Sequence, residues 1–203
     1  MRIAIFIIGA YLFGSIPVGI LVGRAFGFDP RQVGSGNIGM TNVTRAGGTG
    51  AGAITFVGDL LKGLVPVLCA RIAELSPGIV ALLAFSTFMG AISSIFLRFG
   101  GGKGVSASLG IWLAISPITV LVALVAFGIV FAAARIVSLA SISAAIVLPP
   151  AAAIFGVPRP YVGLAIVMTA LVLLRHHENI ARLIKGEERP VGRKKADRQT
   201  AGV

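Results

Sequence analysis

The sequence predicts an all-α, polytopic integral membrane protein of about seven short transmembrane helices, and three observations carry that prediction. Of its 203 residues 56% are hydrophobic and the mean hydropathy is +0.96, far too apolar for a water-soluble domain of this size. The apolar residues gather in runs that approach or exceed the roughly 20 helical residues needed to cross a hydrocarbon layer about 30 Å thick. Polar, glycine-rich segments bearing fixed positive charge separate those runs.

The elements follow in order. Ile3 to Val22 is long enough to span and leads directly into a polar segment, so it reads as a retained span and not a removed signal peptide. Further apolar stretches run at about Gly52 to Ala73, Gly78 to Leu97, Val105 to Ala134, Ser138 to Phe155 and Tyr161 to Leu174. The fourth is too long for one crossing, since roughly 30 helical residues at 1.5 Å each reach about 45 Å. Ser116-Pro117 lies near its middle. Proline lacks a backbone donor and disfavours helix in the residue before it, which places a break there.

That break also satisfies the preference of basic loops for the cytoplasmic side. It gathers Arg24, Arg31, Arg45, Arg98, Lys103, Arg135 and the basic C-terminal segment on one side, leaving Arg2, Arg71 and Arg159 on the other. The N-terminus is then expected outside and the C-terminus in the cytoplasm. A single membrane-embedded domain is expected over 1–191, followed by a basic, disordered cytoplasmic tail over 192–203.

The net charge of +11 raises the question of nucleic acid, but eight of the 18 Lys and Arg lie between Arg175 and Arg198, mixed with Glu178, Glu187, Glu188 and Asp197. A basic segment after a final apolar span is the pattern of contact with anionic lipid head groups, and no nucleic-acid partner is expected. Cys69 is the only cysteine and falls in an apolar run, which excludes a disulfide framework and a cysteine metal site. The adjacent His176 and His177 lack the one-turn spacing of a two-histidine metal site, so no metal or other cofactor is expected.

Chemistry concentrates in three polar segments. In the first, Gly34 to Arg45, the glycines let backbone N–H groups approach an anion, Ser35, Asn37, Thr41 and Asn42 add donors, and Arg45 offers a fork suited to phosphate oxygens. An ordinary glycine-rich connection is the alternative. The second, Gly100-Gly101-Gly102-Lys103-Gly104, is not a Walker motif, because a glycine follows the lysine and Leu97 stands where the pattern needs its first glycine. Flexible donors with an ammonium before a helix still make an anion cradle, while a flexible basic loop reads equally well. In the third, His176 and Asn179 share a face if the last span continues as a helix, with Arg182 a turn beyond; an amphipathic helix beside the membrane is the alternative.

Asp59 and Lys62, three residues apart inside an apolar stretch, mark a structural ion pair or the inner wall of a site. Ser138 and Ser141 begin a later span as caps or ligand donors. A transporter of a phosphorylated solute would share the spans but bind near the bilayer midplane, whereas these groups sit at span ends.

As an ordered set, these segments closely resemble the bacterial acyl-phosphate:glycerol-3-phosphate acyltransferases, the PlsY family, to about Glu188. The first segment matches throughout. Asp59 to Gly63 resembles the family's Asp-x-x-Lys-Gly, Gly101 to Val105 its Gly-Gly-Lys-Gly-Val, and Ser138 to Ile142 its Ser-Leu-Ala-Ser-Ile. Arg175-His176, Asn179-Ile180, Arg182-Leu183, Gly186 and Glu188 complete the third. Ala91, Ser94 and Gly100 stand where the family usually carries His, Pro and Lys, which keeps a divergent non-catalytic paralogue as an alternative.

The resemblance implies a multi-pass enzyme of the bacterial inner membrane with its active site facing the cytoplasm. It implies transfer of a fatty acyl group from acyl phosphate to the 1-hydroxyl of glycerol 3-phosphate, giving lysophosphatidic acid and phosphate, with a functional link to a soluble enzyme that makes the acyl phosphate. By position, Arg45, Lys103, His176 and Asn179 would hold glycerol 3-phosphate. Ser35, Gly36, Asn37, Thr41, Asn42, Gly101, Gly102 and Ser141 would complete substrate binding, with Asp59, Lys62 and Glu188 in support. The family lacks the His-x4-Asp pair of other glycerolphosphate acyltransferases, and so does this chain. Because acyl phosphate is already activated, direct attack without an acyl-enzyme is expected.

Overall fold

The computed structural model describes residues 2–188, 190 and 191, so the tail expected over 192–203 lies outside the described residues. Among the described residues the chain is all-helical. In order come α1 (Arg2–Gly14), α2 (Val18–Ala25), α3 (Met40–Ile72), α4 (Pro77–Ile92), α5 (Val105–Ile115), α6 (Pro117–Ala134), α7 (Val137–Ile154), α8 (Arg159–Arg175) and α9 (His177–Ile184). Single 3-10 turns occupy Pro30–Gln32 and Ile95–Leu97.

Among the described residues four helical stretches are long and apolar enough to cross a membrane: Ile3–Ala25, α3, α6 and α7. The pair α8 and α9, bent by 62°, makes a fifth when counted as one broken span, and α4 and α5 are shorter apolar helices. These are the apolar segments of the sequence in their expected order. Where the bundle meets itself closely, it does so through glycine. A Cβ on Gly14 would collide with the Thr87 carbonyl and one on Gly90 with that of Tyr11, locking α1 to α4. Gly63 against Ala107 and Gly110 against Leu60 do the same for α3 and α5. In lipid, where apolar surface gains little by helix contact, such small-residue packing is a principal source of association. Phe88, Ile111, Trp112 and Met168 fill the centre.

The break expected at Ser116-Pro117 is present. Ser116 caps α6, its hydroxyl accepting from the Thr119 N–H at 3.4 Å, and Pro117 opens the helix where its missing donor costs nothing. Arg71, in the last turn of α3, donates to the carbonyls of Ala114 and Ile115 at the end of α5, which fixes that turn beside the far end of α3.

Three elements differ from the sequence reading. The first span is broken between α1 and α2 just before Pro17, which offers no backbone N–H; a proline alone does not force this, since Pro66 lies inside α3 and Pro149 and Pro150 inside α7. The freed region is satisfied from elsewhere: Ser94 Oγ donates to the Ser15 carbonyl at 2.6 Å, and Lys62 Nζ donates to that of Ile16 at 3.1 Å. α3 begins at Met40, well before the expected Gly52, so half of the first polar segment is helical; Gly48, at φ 84°, kinks the helix between that polar start and its apolar remainder. The last span does not continue straight through the third segment but turns at His176, whose N–H bonds to the Leu173 carbonyl at 3.0 Å in a tightened final turn.

Candidate active site

The first polar segment builds a loop and then a helix start. Asn37 Oδ1 accepts from the Gly39 N–H at 2.9 Å, closing the turn into α3. Asn42, only 2% exposed, accepts from the Ser35 N–H at 3.0 Å and donates to the carbonyls of Pro30 and Asn37 at 2.7 and 2.8 Å. Its amide is thereby committed to the loop, which makes Asn42 a builder of the site more than an open contact. Thr41 and Arg45, one turn apart on α3, present side chains to the same space.

The second segment is held against the end of α4. The Ser94 N–H donates to the Gly100 carbonyl at 2.7 Å, and the Gly102 N–H donates to that of Ala91 at 3.3 Å. Gly101 passes so close to the Ile92 backbone that a Cβ would sit 2.5 Å away, and Gly104 takes φ 77° to start α5. The third segment contributes His176, 2% exposed, whose Nδ1 lies 2.8 Å from the Val172 carbonyl. His177 and Glu178 are exposed on the other side.

These pieces close around one cavity of about 1480 Å³. Its wall includes Ser35, Asn37, Thr41, Asn42 and Arg45 from the first segment, Gly102 and Lys103 from the second, and His176, Asn179 and Arg182 from the third. Ser138 and Ser141 join from α7, Asp59 and Lys62 from α3, and Glu188 from the segment after α9. Gly36 and Gly101 stand behind the wall: Gly36 makes a turn at φ 69°, and Gly101 permits the close backbone approach just described. Phe56, Phe127, Phe131 and Val137 add apolar lining to the same cavity, with the Phe127 and Phe131 rings stacked at 5.8 Å.

A polar network ties the cationic groups together. Lys103 Nζ donates to Asn179 Oδ1, and Asn179 Nδ2 donates to Glu188 Oε1 at 2.6 Å. Glu188 also accepts from Ser138 at 2.7 Å and from Arg182 at 2.6 Å. Burial would raise the Glu188 carboxyl, but the hydrogen bonds from Arg182, Ser138 and Asn179 outweigh it and hold the pKa below its ordinary value. Burial pushes the Lys103 ammonium down, and the nearby Glu188 charge offsets this only in part. Asp59 and Lys62 form an ion pair at 2.7 Å, so the two sequence readings of that pair, structural and wall-lining, both describe it. No group of three or more His, Cys, Asp or Glu able to hold a metal occurs among the described residues.

Residues 4–186 match the family described as Glycerol-3-phosphate acyltransferase. The chain belongs to that family. Curated glycerol-3-phosphate acyltransferases from Geotalea daltonii and Caulobacter vibrioides are 47% and 44% identical to it, the alignments covering 91% and 96% of this chain and 95% and 90% of theirs. The crystal structure of PlsY (YgiH), an integral membrane glycerol 3-phosphate acyltransferase, in its glycerol 3-phosphate form superposes with a TM-score of 0.91 at 38% identity, covering 95% of this chain and 96% of that one. Its lysophosphatidic acid form gives 0.89 at 37% identity. This acyltransferase is therefore an integral membrane member of the PlsY family.

Within that fold the departures from the family pattern have defined places. Ala91 lines the cavity and accepts from Gly102, Gly100 pairs with Ser94, and Ser94 reaches Ser15. The sequence reading missed the aromatic lining, Pro190 and Val191 on the wall, and Arg175, which donates to the carbonyls of Gly101 and Gly102. Apolar wall residues carry no local signal in an apolar chain. Arg175 stands in the family pattern of the third segment, but sequence alone attaches no role to it.

Proposed function

We propose that this protein transfers a fatty acyl group from acyl phosphate to the 1-hydroxyl of sn-glycerol 3-phosphate, giving lysophosphatidic acid and inorganic phosphate. The observation that carries the reading is the single cavity in which Arg45, Lys103, His176 and Asn179, from three distant segments, meet beside an apolar wall. That is the chemistry a site needs to seat two phosphates and one acyl chain.

Arg45 and Lys103 supply charge for the glycerol 3-phosphate phosphate, with His176 and Asn179 orienting the glycerol. Ser35, Asn37, Thr41, Gly102 and Ser141 offer polar contacts to the acyl-phosphate head, and the apolar side around Phe56, Phe127 and Phe131 takes the chain. The 1-hydroxyl oxygen attacks the acyl carbonyl carbon, the carbon–oxygen bond to phosphate breaks, and the hydroxyl proton passes to a phosphate oxygen of a substrate. Phosphate is a good leaving group, so positioning and charge stabilisation suffice. Cys69 lies off the cavity wall, consistent with a reaction that needs no covalent thioester.

The basic residues at this end of the bundle support a cytoplasmic site in the bacterial inner membrane, supplied by a soluble enzyme that makes acyl phosphate. The test is purified protein with glycerol 3-phosphate and either acyl phosphate, acyl-CoA or acyl-carrier protein. Lysophosphatidic acid is expected with acyl phosphate alone. Product from acyl-CoA only would overturn the donor, no product would favour a non-catalytic paralogue, and an acyl group trapped on the protein would overturn direct attack.

A further inference from the structure

Arg175 stands outside the roles assigned above. It ends α8, is exposed, and precedes His176. Its guanidinium is nevertheless engaged: one terminal nitrogen donates to the Gly101 carbonyl at 2.7 Å, and Nε donates to the Gly102 carbonyl at 3.2 Å. One planar fork thus pins two consecutive peptide carbonyls.

In a trans peptide the carbonyl and the following N–H point in opposite directions. The Gly101–Gly102 plane is therefore gripped at both ends, by Arg175 on its oxygen and by the Ala91 carbonyl on its N–H at 3.3 Å. The Gly102–Lys103 plane is gripped only by Arg175, and its N–H, that of Lys103, is turned away from the guanidinium. Among the described residues that N–H has no protein acceptor. Gly102 and Lys103 both line the cavity, so a free donor and an ammonium leave the same peptide unit there. Without the fork, glycine dihedrals let this unit rotate.

We infer that Arg175 is a positioning residue: its fork sets the peptide planes of Gly101, Gly102 and Lys103 so that the Lys103 N–H and ammonium are presented together to a phosphate in the cavity. Its kinetic consequence rests on the acyl-transfer reading; its structural consequence does not. A plain basic residue obeying topology, or one complementing the dipole at the end of α8, would be served equally by lysine. Lysine cannot span two carbonyls as a rigid fork.

The experiment compares the full chain with Arg175→Lys and Arg175→Ala in lipid nanodiscs, reading amide hydrogen exchange over Gly100 to Gly104, the unfolding temperature, and initial rates of lysophosphatidic acid formation. Both variants are expected to keep the parent unfolding temperature, exchange faster in this segment alone, and lose about tenfold to a hundredfold in kcat/KM, the scale of a charge-assisted contact. Millimolar guanidinium should restore part of the rate of Arg175→Ala without affecting the parent. Arg175→Lys with the parent's exchange and rate overturns the inference. Should the parent itself make no product, the acyl-transfer reading fails while exchange still decides: faster in Arg175→Lys supports positioning, unchanged overturns it.

Discussion

Replacing Glu188 by glutamine removes one charge and almost no volume, and its cost follows from the donors that surround the carboxylate. Oε1 accepts from Asn179 at 2.6 Å and Ser138 at 2.7 Å, and Oε2 accepts from Arg182 at 2.6 Å. A glutamine has one acceptor oxygen. Keeping that oxygen on Asn179 and Ser138 turns its NH2 against the Arg182 guanidinium, donor facing donor; the flipped amide faces the other two instead. A charge-assisted hydrogen bond contributes about 1.5–3 kcal/mol. The Arg182 side chain is 36% exposed and the Glu188 side chain 13%, so solvent trims the loss to about 1.5–2 kcal/mol. Asn179, no longer anchored, then holds Lys103 less well, and acyl transfer should fall at least tenfold.

Thermal unfolding and initial rates in nanodiscs measure both effects, and a cycle with Arg182→Gln isolates the pair. The pH dependence supplies a sign. Because the folded Glu188 pKa lies below the ordinary 4.5, its contribution is complete above that value and disappears as pH falls through the lowered one. The gap in stability between parent and Glu188→Gln should therefore close only on acidification below the ordinary carboxyl range. A variant that unfolds and turns over like the parent, or a cycle in which the two substitutions simply add, would refute the network.

Further outcomes are specific. Lys103 is charged only below a pKa that burial has lowered from 10.5, so kcat/KM for glycerol 3-phosphate should decline on an alkaline limb below that value; Lys103→Arg should remove the limb at reduced turnover, and an unchanged limb would exclude Lys103 as its source. Lys62→Met strands the Asp59 carboxylate and should cost about 3–5 kcal/mol, with Asp59→Asn added to it recovering part; equal unfolding temperatures for the single and double variants would contradict the pairing. Gly110→Ala drives a methyl into the Leu60 carbonyl and should lower stability by about 1–3 kcal/mol, whereas Gly128→Ala, which meets open space, should be neutral.

The sequence made the helical class legible because lipid permits few alternatives: apolar runs of span length must be helices, and one run too long for a single crossing carried Pro117 near its middle. It made the cavity's charged residues legible because ions and dense hydrogen-bonding residues are expensive in such a chain without a reason. The break at Pro17 was missed, since proline inside a single span of ordinary length can be tolerated as a kink and the partners that favour a break, Ser94 and Lys62, are distant in sequence. Asn42 was read as an open donor because its three loop partners cannot be seen without coordinates. Glu188 gave no local hint of its central place, because three of the groups it joins come from α7 and α9.

The irregular backbone and the site have a common physical origin. A chain in lipid has no water to satisfy carbonyls and N–H groups that helices leave unpaired, so several interruptions here draw on side chains as well as on local backbone. Ser94 and Lys62 serve the break at Pro17, Arg71 serves the end of α5, Arg175 serves the glycine loop, and Asn42 serves the loop before α3. Apart from Arg71, these residues lie on or immediately beside the cavity wall or act on segments that form it. Stabilising the breaks therefore gathers cationic and amide side chains at one end of the bundle, and a concentration of donors around a hollow is an anion site before any catalytic residue is added. Lys62 shows the economy of the arrangement: the same ammonium that satisfies Ile16 pairs with Asp59 and faces the cavity, so a substitution there should disturb span geometry and substrate binding together.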